Sequence, residues 1–170
     1  MLRTPPNITR KRFVLLASEF NEPITRALVH GATNVLRCAG ASPARIQVYW
    51  VPGAFELPVV AAHLAASRRR PHAIIALGAL IRGQTPQYEV LAHAVAQGLS
   101  QVAVSARIPV TFGIIVATTS AQANARAGLS RPKRGGKETG HVLNRGAEAA
   151  LAALAVLRLF ETLNRHAQAK

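Results

Sequence analysis

Four short apolar runs, each followed by a stretch of helical periodicity, constrain this chain more than any other feature. The runs are Phe13–Ser18, Ile46–Val51, Ala73–Ile81 and Val110–Val116. A strand that is apolar at almost every position, rather than at every second one, is buried on both faces, as in a parallel sheet. After the first run, Ile24, Leu28, Ala32, Val35 and Leu36 recur on one helical face. Asn21 is placed to cap that helix, Pro23 sits in its first turn and Gly40 lies beyond its end. Leu57–Ser67 and Tyr88–Arg107 read as further helices. Thr119–Ala127 reads as a short one ending at Gly128, and Asn144 caps a last helix running to about Leu163. Strands and helices that alternate in this way are joined by right-handed crossovers, so the expected class is α/β with helices on both faces of a parallel sheet.

A chain of 170 residues is long enough for one domain with a real core, expected over 1–170. Hydrophobic residues at 49% and charged residues at 16% exclude a disordered composition. Residues 1–11 are expected to be flexible, and 129–143, basic and glycine-rich, to form an extended loop. No apolar run is long enough to span a membrane, and Met1–Lys11 is not followed by a signal-type apolar region. Cys38 is alone, so no internal disulfide can form, and a cytoplasmic location is expected. The net charge of +14 raises nucleic acid as a partner. Much of the charge, however, falls in Arg68–Arg70 and in Arg131, Lys133, Arg134 and Lys137, which read as loops without interleaved aromatics. Anionic small-molecule substrates fit better, and neither a nucleic-acid nor a membrane partner is expected.

Ligands of open parallel sheets bind beyond the carboxyl ends of the strands. After the first run, Phe20 could stack on a flat heterocycle or staple onto the helix. After the second, Pro52 and Pro58 restrict the chain and Gly53 allows close backbone approach. Glu56 could favour a helix N-terminus or bind polar ligand groups. After the third, Arg82-Gly83-Gln84-Thr85 leads into a helix, an arrangement that suits an anion. Arg126 could add a guanidinium for phosphate, or simply be solvated at its helix end. His30, His63, His72, His93, His141 and His166 are scattered without ligand spacing, so no metal is expected. His63 and His93 read as structural helix residues.

Taken together and in order, these segments resemble the 6,7-dimethyl-8-ribityllumazine synthase family. Val51–Pro58 (VPGAFELP), Ala76–Thr85 (ALGALIRGQT), Pro109–Gly113 (PVTFG), Gln122–Gly128 (QANARAG) and Asn144–Ala150 (NRGAEAA) match its motifs, and Ser18–Asn21 (SEFN) resembles its aromatic-Asn element. The resemblance covers about Phe13 to Leu163. It implies a three-layer αβα fold with a four-stranded parallel flavodoxin-like sheet. It also implies condensation of 5-amino-6-(D-ribitylamino)uracil with 3,4-dihydroxy-2-butanone 4-phosphate, in riboflavin biosynthesis, without a cofactor. By the same resemblance Phe20, with Asn21 beside it, holds the pyrimidine, and Ala79, Leu80 and Ile81 offer it backbone contacts. Ala54, Phe55 and Glu56 hold the ribityl chain and ring edge. Gln84, Thr85 and Arg126 bind phosphate. Phe112 closes the pocket of a neighbouring subunit, which implies a homo-oligomer built of pentamers, and Arg145 is a further candidate.

Three departures stand out. Gln87 occupies the place of the family's general acid/base histidine, and a carboxamide does not titrate near neutral pH. Glu89 and His93 are the nearest titratable alternatives, and neither is expected to replace it. Ile115-Val116-Ala117 replaces the family's usual polar element after the fourth strand. Arg145 stands where the family often has Lys, and the basic loop is long where the family's shell-formers have a short one, which favours a free pentamer or a pair of pentamers over a shell. The leading expectation is a synthase, its rate lowered at Gln87. A non-catalytic carrier of lumazine- or flavin-type ligands and a nucleic-acid-associated shell are the alternatives.

Overall fold

The computed structural model describes residues 8–129 and 144–168. Its strands are β1 (Phe13–Ser18), β2 (Ile46–Val51), β3 (Ala73–Ile81) and β4 (Val110–Ala117), all parallel and ordered β2-β1-β3-β4. The helices are α1 (Glu22–Cys38), α2 (Leu57–Ala66), α3 (Gln87–Ala106), α4 (Ser120–Arg126) and α5 (Arg145–Gln168). Alternate residues of β1 and β3 go to opposite layers. Phe13, Leu15, Ile75 and Leu77 pack against α1, α4 and α5, while Val14, Leu16, Ile74 and Ala76 pack against α2 and α3. Both parities are therefore buried, which is why these runs are continuously apolar.

The expected three-layer α/β fold is the one observed. The helices differ in detail. Helix α3 begins one residue earlier than expected, so Gln87 is its first residue, and α5 continues past Leu163 to Gln168. Short 3-10 turns at Pro43–Arg45 and Ala54–Glu56 were not foreseen by periodicity. Of the start expected to be flexible, 1–11, the described residues begin at Ile8. Ile8 is 2% exposed, its carbonyl accepts from Lys11 N, and Lys11 Nζ meets Glu161 at 3.0 Å. Of the expected basic loop, residues 130–143 lie outside the described residues. His63 and His93 are exposed rather than built into the core.

Helices α1 and α5 touch almost backbone to backbone. A Cβ added at Gly146 would lie 2.1 Å from the Leu28 carbonyl oxygen. A Cβ at Gly31 would strike the Asn144 side chain at 2.2 Å. Into this gap Asn144 inserts its carboxamide. Its Oδ1 accepts from Ala147 N at 3.0 Å and caps α5, as expected. Its Nδ2 donates to Ala27 O at 3.0 Å and to Ala127 O at 2.8 Å. At the amino ends of the strands, His72 N donates to Arg12 O at 2.8 Å, and His72 Nδ1 accepts from Arg12 N at 3.0 Å. Only an imidazole without a proton on Nδ1 can accept this bond.

Gly146→Ala must push α1 and α5 apart and should lower stability in urea unfolding by about 1–3 kcal/mol. Gly83→Ala, with open space around it, should leave stability unchanged or slightly raised. Burial first, then the charges of Lys11, Arg12, Arg45 and Arg70, hold the His72 pKa below 6.5. The unfolded chain then binds the proton more readily, so stability is kept above that pH and lost as pH falls from it toward the lower folded value. Unfolding measured between about pH 8 and about pH 5 should show a steeper acid loss for the wild type than for His72→Gln.

Candidate active site

A cleft of about 350 Å³ opens at the carboxyl ends of β1, β2 and β3. Three exits from the sheet meet there because hydrogen bonds tie them together. Glu19 N donates to Val51 O at 2.8 Å and Phe20 N to Pro52 O at 3.2 Å, so the β1 exit runs beside the β2 exit. Asn21 Nδ2 donates to Ala79 O at 2.9 Å, which ties the β1 exit to β3. Arg82 N donates to Ala117 O at 2.9 Å and extends β3 along β4.

Asn21 therefore corrects its expected role. It occupies the N-cap position of α1, but its side chain makes no cap bond and its backbone is left-handed, with φ 62°. The carboxamide reaches across the sheet instead. Asn tolerates this backbone region better than most non-glycine residues.

The lining gathers most of the expected residues. Phe20 and Asn21 come from the first exit, Ala54, Phe55 and Glu56 from the second, and Ala79, Leu80, Ile81 and Thr85 from the third. Gln87 lines the cleft from the start of α3. Phe20 is 72% exposed and Phe55 62%, so both offer aromatic faces to a ligand, and Phe20 is no staple on α1. A Cβ on Gly53 would come within 2.9 Å of Glu56 Oε2, so the glycine leaves that carboxylate its place. Glu56 precedes α2 without a side-chain cap bond. Helix α3 begins at Gln87; Glu89 N already donates to Pro86 O at 3.0 Å, and the first two amides of the helix, which precede any intrahelical acceptor, favour an anion beside Thr85.

Four expected site residues do not line this cleft. Gln84 is exposed beside it. Phe112 lies midway along β4, in register with Ala76, and packs on the core under α2 and α3. Arg126 ends α4, and Arg145 is paired with Glu148 at 3.1 Å.

Sequence reasoning missed Tyr88 and Leu91, which line the cleft from one side of α3. Their i, i+3 spacing in the first turn is the signal that could have found them. The Tyr88 hydroxyl donates to Glu89 Oε1 at 2.7 Å. That bond is the main reason its pKa is raised above 10.0, with desolvation and the Glu89 charge adding to it and Arg82 opposing. Among the lining residues the acid/base groups are Glu56 and Tyr88. No group of three or more His, Cys, Asp or Glu that could hold a metal ion occurs among the described residues.

The sequence model of the 6,7-dimethyl-8-ribityllumazine synthase family matches residues 10–161. The 6,7-dimethyl-8-ribityllumazine synthase of Thermus thermophilus is 39% identical over 162 residues, covering 94% of this chain and 96% of the relative. That of Gemmatimonas aurantiaca is 44% identical over 151 residues, covering 89% and 85%. That of Leuconostoc mesenteroides is 36% identical over 155 residues, covering 91% and 92%.

The tie between the first and third exits can be tested by unfolding. Asn21→Ala loses the bond to Ala79 and strains the left-handed backbone, and should lower stability by about 1–3 kcal/mol. Asn21→Gly keeps the backbone geometry and should lose about half as much.

Proposed function

The chain belongs to the 6,7-dimethyl-8-ribityllumazine synthase family, and we propose that it condenses 5-amino-6-(D-ribitylamino)uracil with 3,4-dihydroxy-2-butanone 4-phosphate, releasing 6,7-dimethyl-8-ribityllumazine, phosphate and water. The observation that carries this reading is convergence. Two exposed aromatic rings, a carboxylate, the carboxyl edge of β3 and the start of α3 face one cleft. In this assignment Phe20 stacks on the pyrimidine beside Asn21, and the backbone of Ala79, Leu80 and Ile81 takes its edge. Ala79 O already accepts from Asn21, which leaves one lone pair for the ligand. Ala54, Phe55 and Glu56 hold the ribityl chain. Thr85 and the first two amides of α3 take the phosphate, with Gln84 at the rim.

Phe112 and Arg126 lie away from their own cleft, so in this reading a second copy supplies them. Arg145 stays outside the assignment because Glu148 holds its guanidinium. In the same reading the copies form a cytoplasmic homopentamer or a pair of pentamers, and the apolar surface of the single chain supports association as such. Val59 is 67% and Val104 76% exposed, and a groove of about 550 Å³ runs between α2 and α3. No helix among the described residues is long and apolar enough to cross a membrane.

The chemistry asks mainly for positioning. The 5-amino group attacks the ketone and water leaves as an imine forms; phosphate is eliminated and the resulting enol tautomerises to a second carbonyl; the ribitylamino nitrogen attacks that carbonyl, and a second water leaves as the ring closes. Holding two substrates in one cleft removes most of their translational and rotational freedom before reaction. Donors aimed at the departing phosphate stabilise its developing charge. Gln87 positions a group by hydrogen bonding but does not exchange a proton near neutral pH. Tyr88 is the adjacent route in this reading. A proton taken up at its hydroxyl oxygen moves its own proton on to Glu89.

All three relatives compared carry the synthase name, which favours turnover over a non-catalytic carrier. Steady-state formation of the lumazine chromophore tests this. The wild type should turn over. Gln87→His should raise kcat by about tenfold or more, given that positioned proton transfer is typically worth 10²–10⁴-fold, and Tyr88→Phe should lower it. Absence of turnover in both wild type and Gln87→His would leave only a ligand carrier.

A further inference from the structure

A second cleft, of about 260 Å³, lies at the opposite end of the sheet. It sits at the amino ends of β1 and β3, separated from the first cleft by the nine residues of β3, or about 26 Å at the usual rise per strand residue. Its wall is strongly cationic. Lys11, Arg12, Arg70 and Arg107 line it, with Glu161 as the single carboxylate among its lining residues. These cations come from separate places in the chain: the approach to β1, the turn before β3 and the end of α3. Arg107 is held in the left-handed region at φ 53°, directly after α3.

Protein partners satisfy this charge incompletely. Glu161 is spent on Lys11. Arg12 Nη2 donates to Arg70 O at 2.9 Å, but its Nε is buried with no partner among the described residues. Arg70 Nη1 reaches Ala106 O only at 3.5 Å, at the limit of a hydrogen bond. His72 also lines the cleft. Its Nδ1 accepts from Arg12 N, which fixes the tautomer and leaves Nε2–H as a donor. The charges that act on His72 are those of Lys11, Arg12, Arg45 and Arg70, all positive. The remaining wall is apolar at Ile108, Pro109 and Phe160, with Asn164 as its one uncharged polar side chain.

We propose that this cleft binds a small phosphorylated molecule, its phosphate against Arg70, Arg107 and His72 and its carbon body against Pro109 and Phe160. Several cations converging from separate segments suit a dianion, and guanidinium groups match phosphate oxygens in pairs. The volume exceeds that of bare phosphate, and the apolar wall suits a ligand with an organic part. The cations surround one concavity rather than forming a stripe, which favours a small molecule over a nucleic acid. This assignment does not depend on the reaction at the first cleft.

Phenyl phosphate is a suitable probe, because its two halves match the two walls. Its binding to the full chain is followed by calorimetry, and locally by the histidine ring signals of ¹³C-labelled protein, with His72→Gln to assign His72. Phenyl phosphate should raise the pKa of His72, and inorganic phosphate should do so more weakly. Arg70→Gln/Arg107→Gln changes two exposed side chains and should weaken that response at least tenfold while leaving kcat unchanged. Arg126→Gln should not affect it, which separates this cleft from phosphate held for the condensation. The proposal fails if His72 does not respond to phenyl phosphate, or if chloride at equal ionic strength moves it as far. It also fails if the double variant responds like the wild type, or if only an oligonucleotide moves the signal.

Discussion

One carboxamide joins three helical segments, and the sheet's α1 face depends on it. Asn144 donates to the carbonyl oxygens of Ala27 in α1 and Ala127 after α4, and accepts from Ala147 in α5. Each bond alone contributes about 0.5–1.5 kcal/mol, but a half-buried carbonyl left without its donor loses more than that. The contact exists only because Gly31 and Gly146 carry no side chain where α1 and α5 meet. Polar geometry and steric room are thus one constraint. A bulkier residue at either glycine moves the carboxamide out of reach of its acceptors.

The carboxyl end of the sheet follows the same logic with different parts. Strand order alone places the exits of β1, β2 and β3 side by side, but their alignment comes from Phe20 N on Pro52 O and Asn21 Nδ2 on Ala79 O. These ties occupy groups that would otherwise be available to a ligand, so the cleft's backbone is rigid where it meets a flat ring. The exposed Phe20 and Phe55 rings are the parts left free to adapt.

Much of this was legible in the sequence, for reasons that differ by element. The bounds of β1 and β3 could be read directly, because strands buried on both faces leave no ambiguity about where burial stops. The cleft could be placed because motifs fell after strands. Asn21 was misread because an Asn before a helix has two competing uses, a local cap and a tertiary bond, and only the fold decides between them. Tyr88 and Glu89 were passed over as a pair because adjacent helical residues do not normally face each other. Here a long tyrosine side chain spans the gap. Phe112, Arg126 and Arg145 match family motifs, yet a single chain does not bring them to the cleft it builds.

Helix α5 is the last described element of the chain, yet it covers β3 and β4 and packs along α1. During synthesis, the sheet face beneath it stays uncovered until residues 145–168 have left the ribosome. The four strands, α1 and α4 are then complete but that layer lacks its last helix, so the parts of β3 and β4 that α5 covers are open to other chains. A chain stalled or cut before Asn144 lacks the helix that covers this part of the sheet, so the interval before residues 145–168 are made is the one in which aggregation competes with folding.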